Sequence, residues 1–562
     1  MKKRLGLIFL CFVMLASVFA LASCNKIVFT AHDYGAWIEE TEANCIDLGT
    51  IGHYKCSCHD KYFDKNKKEI FEIAKTEGEY GRHEYYDDAC VNCGYQIIAS
   101  KGLKFTLSSD GEYYSLSGIG SCTDTKIVIP PIYENIPVEA ISASAFRRNS
   151  NITSVTIPNS VLTIGETAFS DCEKLASVIF EEGSMLETIE ASAFEYCRSL
   201  SNFTLPSDVL SLGDYALRSC SSLTSIHIPE YVESIGFEAL LDCASLTSIT
   251  VDENNEYFKD IEGNLYTKNG ETLLLYATGK TVINFVIPDG VKTIGASAFE
   301  SSHGLKIVVI PDSVRKIDVR AFDNCQGLVS VTLGKNVETI GDYAFEFCPK
   351  LENITIPDSV YEIGYRAFDN CIGFTSLTIP YSVTKIGDYA FSFCTGLTSI
   401  TVEENNPNYK DIDGDLYTKD GKQLIQYATG KTATSFAIPD GVTDICRWVF
   451  SGCESLTSVT IPNSVTIIGD YAFENCLALT TITIPDGVTR IGDYAFSACK
   501  SLTTVTIPKS LASMGNYAFM GCKTLKTIRY RGSKTDWGNI EPGYEWDKDT
   551  GAYKFSYNYT GN

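Results

Sequence analysis

Nine cysteines and histidines crowd into residues 32–93: His32, Cys45, His53, Cys56, Cys58, His59, His83, Cys90 and Cys93. Cys90-Val-Asn-Cys93, followed by Gly94, has the spacing that lets two thiolates share one tetrahedral zinc ion. Cys56-Ser-Cys58 offers a second and poorer pair, and how the two pairs combine is open. The region holds few large aliphatic residues, so a structural zinc on Cys56, Cys58, Cys90 and Cys93 would supply folding energy that a small core cannot. Disulfides are the alternative and suit an exported module. A catalytic metal is not expected.

Two further sets of cysteines imply different chemistry. Lys2-Lys3-Arg4, the apolar run Leu5 to Leu21 and then Leu21-Ala-Ser-Cys24 make a secretory signal ending in a bacterial lipobox. Cleavage before Cys24 would leave its sulfur to carry a diacylglyceryl group, and several acyl chains on one residue give stable membrane anchoring. An ordinary signal peptide with a chance cysteine is the alternative. The third set is periodic: Cys172, Cys197, Cys220, Cys243, Cys325, Cys348, Cys371, Cys394, Cys453, Cys476, Cys499 and Cys522. Each stands three residues after a Phe or Leu that itself recurs, as at Phe473, Phe496 and Phe519.

That recurrence is the organising pattern of the chain. A copy reads Leu456-Thr-Ser-Val-Thr-Ile-Pro-Asn-Ser-Val-Thr-Ile-Ile-Gly-Asp-Tyr-Ala-Phe473-Glu-Asn-Cys476, and the next begins 23 residues later. Fourteen copies fall in register, with Leu217 and Leu240 in the Phe slot of two of them. A unit this short cannot bury its apolar face alone, so copies must stack and share a core. Val459 and Ile461 alternate inward on a short strand while Ser458 and Thr460 face solvent. Pro462 ends the strand. Gly469 permits a bend, Asp470 caps a short helical turn, and Phe473 and Cys476 share that turn's buried face. Stacked strands lie about 4.7–4.9 Å apart, whereas a disulfide needs Cβ atoms about 3.5–4.5 Å apart in turned geometry. The cysteine ladder is therefore expected as free buried thiols, which in an exported protein suggests an anaerobic habitat.

The phrases Ser458-Val-Thr-Ile-Pro462, Ile491-Gly-Asp-Tyr-Ala-Phe496 and Ala498-Cys499 resemble the BspA-like (Treponema-type) leucine-rich-repeat surface proteins of bacteria, over about Gly102 to Tyr559. The resemblance implies a cell-surface protein that binds, often in adhesion to host proteins or other cells. The fold expected is a β-rich leucine-rich-repeat solenoid of about 23-residue coils, each a short strand plus a short helical turn. Its divisions are a signal peptide at 1–23, a Cys/His spacer at 24–97, an N-terminal cap at 98–140, the solenoid at 141–526 and a C-terminal cap at 527–562.

Two breaks interrupt the register, where the slot spacing from Leu240 to Phe299 and from Phe391 to Phe450 is 59. Both carry nearly the same text: Glu256-Tyr-Phe-Lys-Asp-Ile-Glu-Gly-Asn-Leu-Tyr266 and Asn408-Tyr-Lys-Asp-Ile-Asp-Gly-Asp-Leu-Tyr417. Asn269-Gly270 and Asp420-Gly421 signal a hairpin in each, giving inserts near 251–282 and 402–434. Asp411, Asp413 and Asp415 resemble a calcium loop, but the other insert has Asp260, Glu262 and Asn264 there and no terminal bidentate Glu, so an acidic turn is the better reading.

No nucleophile motif, phosphate loop or zinc-protease His pair is present, so an enzyme is not expected. The formal charge of −24 becomes −27 without Lys2, Lys3 and Arg4, which argues against nucleic acid and anionic lipid surfaces. The expected partner is a protein, with a glycan or an envelope-scaffold role as the alternative. The outward Ser and Thr columns are flat and poor in the aromatic and arginine side chains that dominate hot spots. The tyrosines before Ala-Phe, such as Tyr343, Tyr389, Tyr471, Tyr494 and Tyr517, read mainly as packing. The inserts, with Tyr257, Tyr266, Tyr409 and Tyr417, are the preferred recognition elements.

Overall fold

The computed structural model describes residues 99–561 other than Asn353, together with two strand pairs nearer the N-terminus, Tyr62–Phe63 with Glu69–Ile70 and Tyr85–Tyr86 with Ala89–Cys90. Cys24, Cys56, Cys58 and Cys93 lie outside the described residues, as do the signal sequence and lipobox, and Cys90 is placed only as part of a strand. The chain forms two compact units, Met1–Leu223 with Pro229–Leu240, and Thr224–Ile228 with Leu241–Asn562.

Each coil contributes to two parallel sheets. In the second unit Ser458–Thr460 lies between Ser435–Ala437 and Thr481–Thr483, and Ile467–Ile468 lies between Asp444–Ile445 and Arg490–Ile491. Leu456, Val459, Ile461, Val465, Ile468, Ala472, Phe473 and Cys476 are all buried, so the apolar residues of one copy fill one layer of the core. The Phe rings stack face to face: 4.7 Å from Phe450 to Phe473, then 5.0 Å to Phe496 and 5.0 Å to Phe519. The first unit repeats the plan, with Phe146, Phe169 and Phe194 stacked at 5.0 and 5.1 Å. Its N-terminal end is closed by a hairpin of Lys104–Leu107 and Tyr114–Gly118, which pairs onward with Ile136–Ile141.

The helical turn expected around Phe473 is instead a run of tight turns. Tyr471 and Asn475 are left-handed, with φ of 56° and 55°. Half of the amides bond within the coil, such as Glu474 N–H to Tyr471 O at 3.0 Å. Alternate ones reach the next coil: Tyr471 to Asp493 O (2.8 Å), Phe473 to Ala495 O (2.7 Å) and Asn475 to Ser497 O (2.9 Å). A helix would spend every amide internally and leave nothing to join the coils. Among the described residues the one α-helix is Lys534–Trp537 in the C-terminal end, capped by Ser533 and Asp536.

Gly469 is needed for room rather than for a bend. A Cβ there would sit 2.8 Å from the backbone nitrogen of Arg447 on the coil below. Asp470 likewise serves the neighbouring coil, accepting the Asp493 N–H at 3.0 Å.

The cysteine ladder is buried and free, as its spacing implied. It is also more than apolar filling. Wherever the preceding coil carries Phe in its slot, the thiol donates to that Phe carbonyl, at 3.0 Å for Cys325 and 3.3 Å for Cys220. Burial pushes the Cys172 thiol up to about 12, far from the thiolate needed for reaction.

Each insert is a three-stranded antiparallel meander rather than a single hairpin. In the first, Phe258–Ile261 pairs with Asn264–Thr267, which pairs with Thr272–Leu275, and the last strand rejoins the parallel sheet beside Thr293–Ile294. The turn that sequence reading passed over is Glu262-Gly263, both left-handed at 52° and 72°. The register is not lost: Tyr276 and Tyr427 stand 23 residues before Phe299 and Phe450 and head their ring stacks, with centroids 5.0 and 5.1 Å away.

Candidate functional site

The meander decides the fate of the expected recognition residues. Tyr266 and Tyr417 sit on middle strands with neighbours on both sides and are 0% exposed, so neither can meet a partner. Tyr409 is half-buried and its hydroxyl accepts the Ile386 N–H at 3.0 Å. Tyr257 alone of the four is exposed, at 45%. The acidic turn is explained without a cation. Asp260 and Asp411 accept the N–H groups of Val251 and Val402 at 2.9 and 2.8 Å. Asn264 and Asp415 accept the N–H groups of Ala277 and Ala428, and the ammonium groups of Lys280 and Lys431.

The aromatic side chains that do gather at a surface are those before Ala-Phe. The left-handed backbone at Tyr343, Tyr389, Tyr471, Tyr494 and Tyr517 carries every one of these rings out to the same side of its coil. That conformation costs of order 1 kcal/mol per residue and is held by the bonds between coils, such as Tyr343 N–H to Tyr365 O at 2.7 Å.

The rings form one continuous column in the second unit. Successive centroids from Tyr343 run 5.2 Å to Tyr365, 5.1 Å to Tyr389, 5.3 Å to Trp448, 4.4 Å to Tyr471, 4.8 Å to Tyr494, 4.9 Å to Tyr517 and 5.5 Å to Tyr544. Tyr343 through Tyr517 are half-buried and Tyr544 is 64% exposed. Sequence reading missed Trp448 and Tyr544. Trp448 lies 23 residues before Tyr471, so the repeat register would have found it. It also carries the column across the second insert.

Cations lie over the column. The Arg366 guanidinium is 5.6 Å from Tyr365 and Tyr389 and 5.9 Å from Trp448, and Arg320 is 4.9 Å from Tyr343. A ladder of buried acids, Glu300, Asp323, Glu346 and Asp369, runs beside them, one per coil directly after the Phe. Arg320 pairs with Asp323 at 3.3 Å, and Arg366 with Glu346 at 3.3 Å and Asp369 at 3.6 Å. These pairs hold the guanidinium groups against the rings. Burial, with Glu300 and Glu346 nearby, pushes Asp323 up to about 7, and burial does the same to Asp369. Among the described residues no group of His, Cys, Asp and Glu is arranged to hold a metal ion.

A coil built this way, with an inward Leu-Val-Ile strand, a Phe stack and ladders between turns, defines a leucine-rich-repeat solenoid. The sequence model of the BspA type leucine rich repeat region matches in six copies over residues 139–265, 276–398 and 426–540, more than half of the chain. The chain belongs to that family. No curated protein is found to match it. Among solved structures it is similar to a leucine rich cell surface protein from Faecalibacterium prausnitzii, at 25% identity over 80% of this chain and 98% of that one, with a TM-score of 0.37. A leucine-rich repeat protein from Bacteroides ovatus is 25% identical over 82% and 99%, with a TM-score of 0.40. One from Eubacterium ventriosum is 24% identical over 72% and 94%, with a TM-score of 0.41.

Proposed function

We propose that this BspA-type repeat protein is displayed on the bacterial surface, anchored by lipid on Cys24, and binds a protein partner in adhesion to host or neighbouring cells. The observation that carries the reading is the aromatic column. It combines Tyr, Trp and Arg, the side chains that dominate protein hot spots, on a backbone that holds them rigid. The unbroken register of rings supports one extended contact rather than a pocket for a small molecule.

From Trp448 to Tyr517, where the rings stack, the column favours protein over glycan. Sugars bind aromatic rings face on, but Tyr471 and Tyr494 lie 5° from parallel at 4.8 Å and cover each other's faces. What they offer outward is ring edge and hydroxyl, which suits the mixed surface of a protein. The zinc at Cys56, Cys58, Cys90 and Cys93 belongs to this reading as the brace of a spacer. Metal content measured beside a thiol titration separates it from disulfides.

The test is capture of extracellular-matrix proteins and of purified glycans by the full chain and by a Tyr471→Ala, Tyr494→Ala variant. Protein capture weakened at least about 30-fold, the scale of losing a hot spot of about 2 kcal/mol, supports the reading. Undiminished capture by the variant, or capture of glycans alone, rejects it.

A further inference from the structure

In the second unit the sheet that carries the Ser/Thr strip is interrupted at each insert, and the two sides of the interruption are finished differently. On the near side, Ser248–Val251 is covered: Ile249 N–H donates to Gly263 O at 3.0 Å and Val251 N–H to Asp260 at 2.9 Å. On the far side, Asn284–Val286 is the end strand of a sheet that continues through Ile307–Val309 and Ser330–Thr332. Its ladder uses Ile283, whose carbonyl accepts the Ile307 N–H at 3.0 Å, and Ile287, whose N–H donates to Val309 O at 3.0 Å. Alternation along the strand turns the N–H and C=O groups of Asn284 and Val286 the other way. Among the described residues no strand stands there.

What stands there is space. A recess of about 560 Å³ opens between this edge and the meander, bounded by Thr247, Glu262, Lys280, Val282, Asn284 and Val286. Val286 is 63% exposed, Val282 and Ile283 are each 49% exposed, and Ile307 beside them is 39% exposed. The corresponding end strand of the first unit, Lys126–Val128, is closed: Val128 donates to Ser100 Oγ at 3.1 Å and accepts the Ser100 N–H at 2.9 Å. A bare edge with apolar side chains is a template for another chain, and native proteins cover such edges unless they use them.

We propose that Asn284–Val286 accepts an extended peptide segment of a partner protein as an added strand. The backbone selects this occupant, because a row of alternating N–H and C=O groups is matched by another extended backbone and by neither a helix nor a sugar. In uninterrupted coils that same side is filled by the strand of the coil before, as Ser458–Thr460 fills it for Thr481–Thr483. Val282 and Val286 border the vacancy and favour β-branched residues in the incoming strand. The second insert ends its sheet in the same way at Ser435–Ala437, but sets Ala433, Thr434, Ala437 and Ser458 at the equivalent positions, so the preference belongs to the first. This site is separate from the aromatic column and does not rest on it.

The probe is a fluorescein-labelled, end-blocked peptide Leu-Thr-Ser-Val-Thr-Ile with two added lysines, titrated by anisotropy against the full chain. Saturable binding is expected. Val286→Pro removes an outward N–H and leaves the ladder to Ile307–Val309 in place, and should weaken binding about tenfold or more. The V282A, I283T, V286A triple variant, which copies the second insert, should weaken it similarly and guards against a Val286→Pro chain that fails to fold. Tyr471→Ala, Tyr494→Ala should bind the peptide as the wild type does. Absence of saturable binding, binding indifferent to both edge variants, or binding lost only in the tyrosine variant would each overturn the proposal.

Discussion

The two inserts share most of their text and most of their hydrogen bonds, and they differ most tellingly at the rim. Tyr266 and Tyr417, Tyr276 and Tyr427, and Asp260 and Asp411 occupy matching places. Around the free sheet edge the first insert has Val282, Ile283 and Val286 where the second has Ala433, Thr434 and Ala437. What the two keep in common closes a gap in the parallel ladder. At the rim, where the side chains of Val286 and Ala437 are exposed, nothing in the fold holds the choice. One shared place also differs in charge. The half-buried ammonium of Lys280 meets the neutral amide of Asn264 at 2.8 Å, and that of Lys431 meets the carboxylate of Asp415 at 2.7 Å.

The largest effect that tests this division is removal of the common tyrosines. Tyr266→Ala and Tyr417→Ala should each cost about 3–5 kcal/mol in chemical denaturation, by cavity formation in the core. A cost near zero in either would mean that its insert is not part of the core. The charged place should break the symmetry. Lys431→Ala strands the Asp415 carboxylate and should cost about 2–3 kcal/mol, whereas Lys280→Ala leaves a neutral Asn264 and should cost about 1 kcal/mol. Equal costs would contradict the assignment. Asp415→Asn, which copies the first insert, should be the mildest change at that place.

A pH effect comes next. Asp323 and Asp369, in the coils between the inserts, are held up to about 7 by burial and take up protons on folding. A raised carboxyl contributes stability that is complete below its unfolded value of about 4 and is lost as pH rises towards 7. The unfolding midpoint should therefore fall by a few degrees between pH 5 and pH 7.5, and Asp323→Asn with Asp369→Asn should flatten that slope. The smallest effect is at the rim. Exchanging Ala437→Val in the second insert should change stability by no more than about 0.5 kcal/mol, since the side chain faces solvent.

Periodicity made most of the fold legible. The Leu-x-x-Val-x-Ile spacing, the Phe slot and the cysteine three residues on all become core, because a stacked repeat gives one position one environment. The same reasoning mistook the turn run for a helix, since i, i+3 burial is common to both and only the left-handed residues separate them. It also failed at the inserts. Tyr266 and Tyr417 lie in short apolar-polar runs that read as half-exposed hairpin, because Asn269-Gly270 and Asp420-Gly421 announce only the pairing with the strand that follows. The pairing with Phe258–Ile261 and Tyr409–Ile412 runs through Glu262-Gly263, which carries no such signal, and Asp413-Gly414, which reads first as part of an acidic turn. The column was visible as separate tyrosines. Its continuity was not, because Trp448 replaces Tyr and bridges to Tyr389 across residues that the linear sequence sets far apart.

A captured protein should cover the aromatic column. Tyrosine-directed chemical footprinting of the full chain, with and without the captured matrix protein, tests it most directly. Tyr471, Tyr494, Tyr517 and Tyr544 should be protected, with the exposed Tyr361 and Tyr381 left reactive. Protection confined to Tyr257, or no change along the column while the partner is bound, would contradict it.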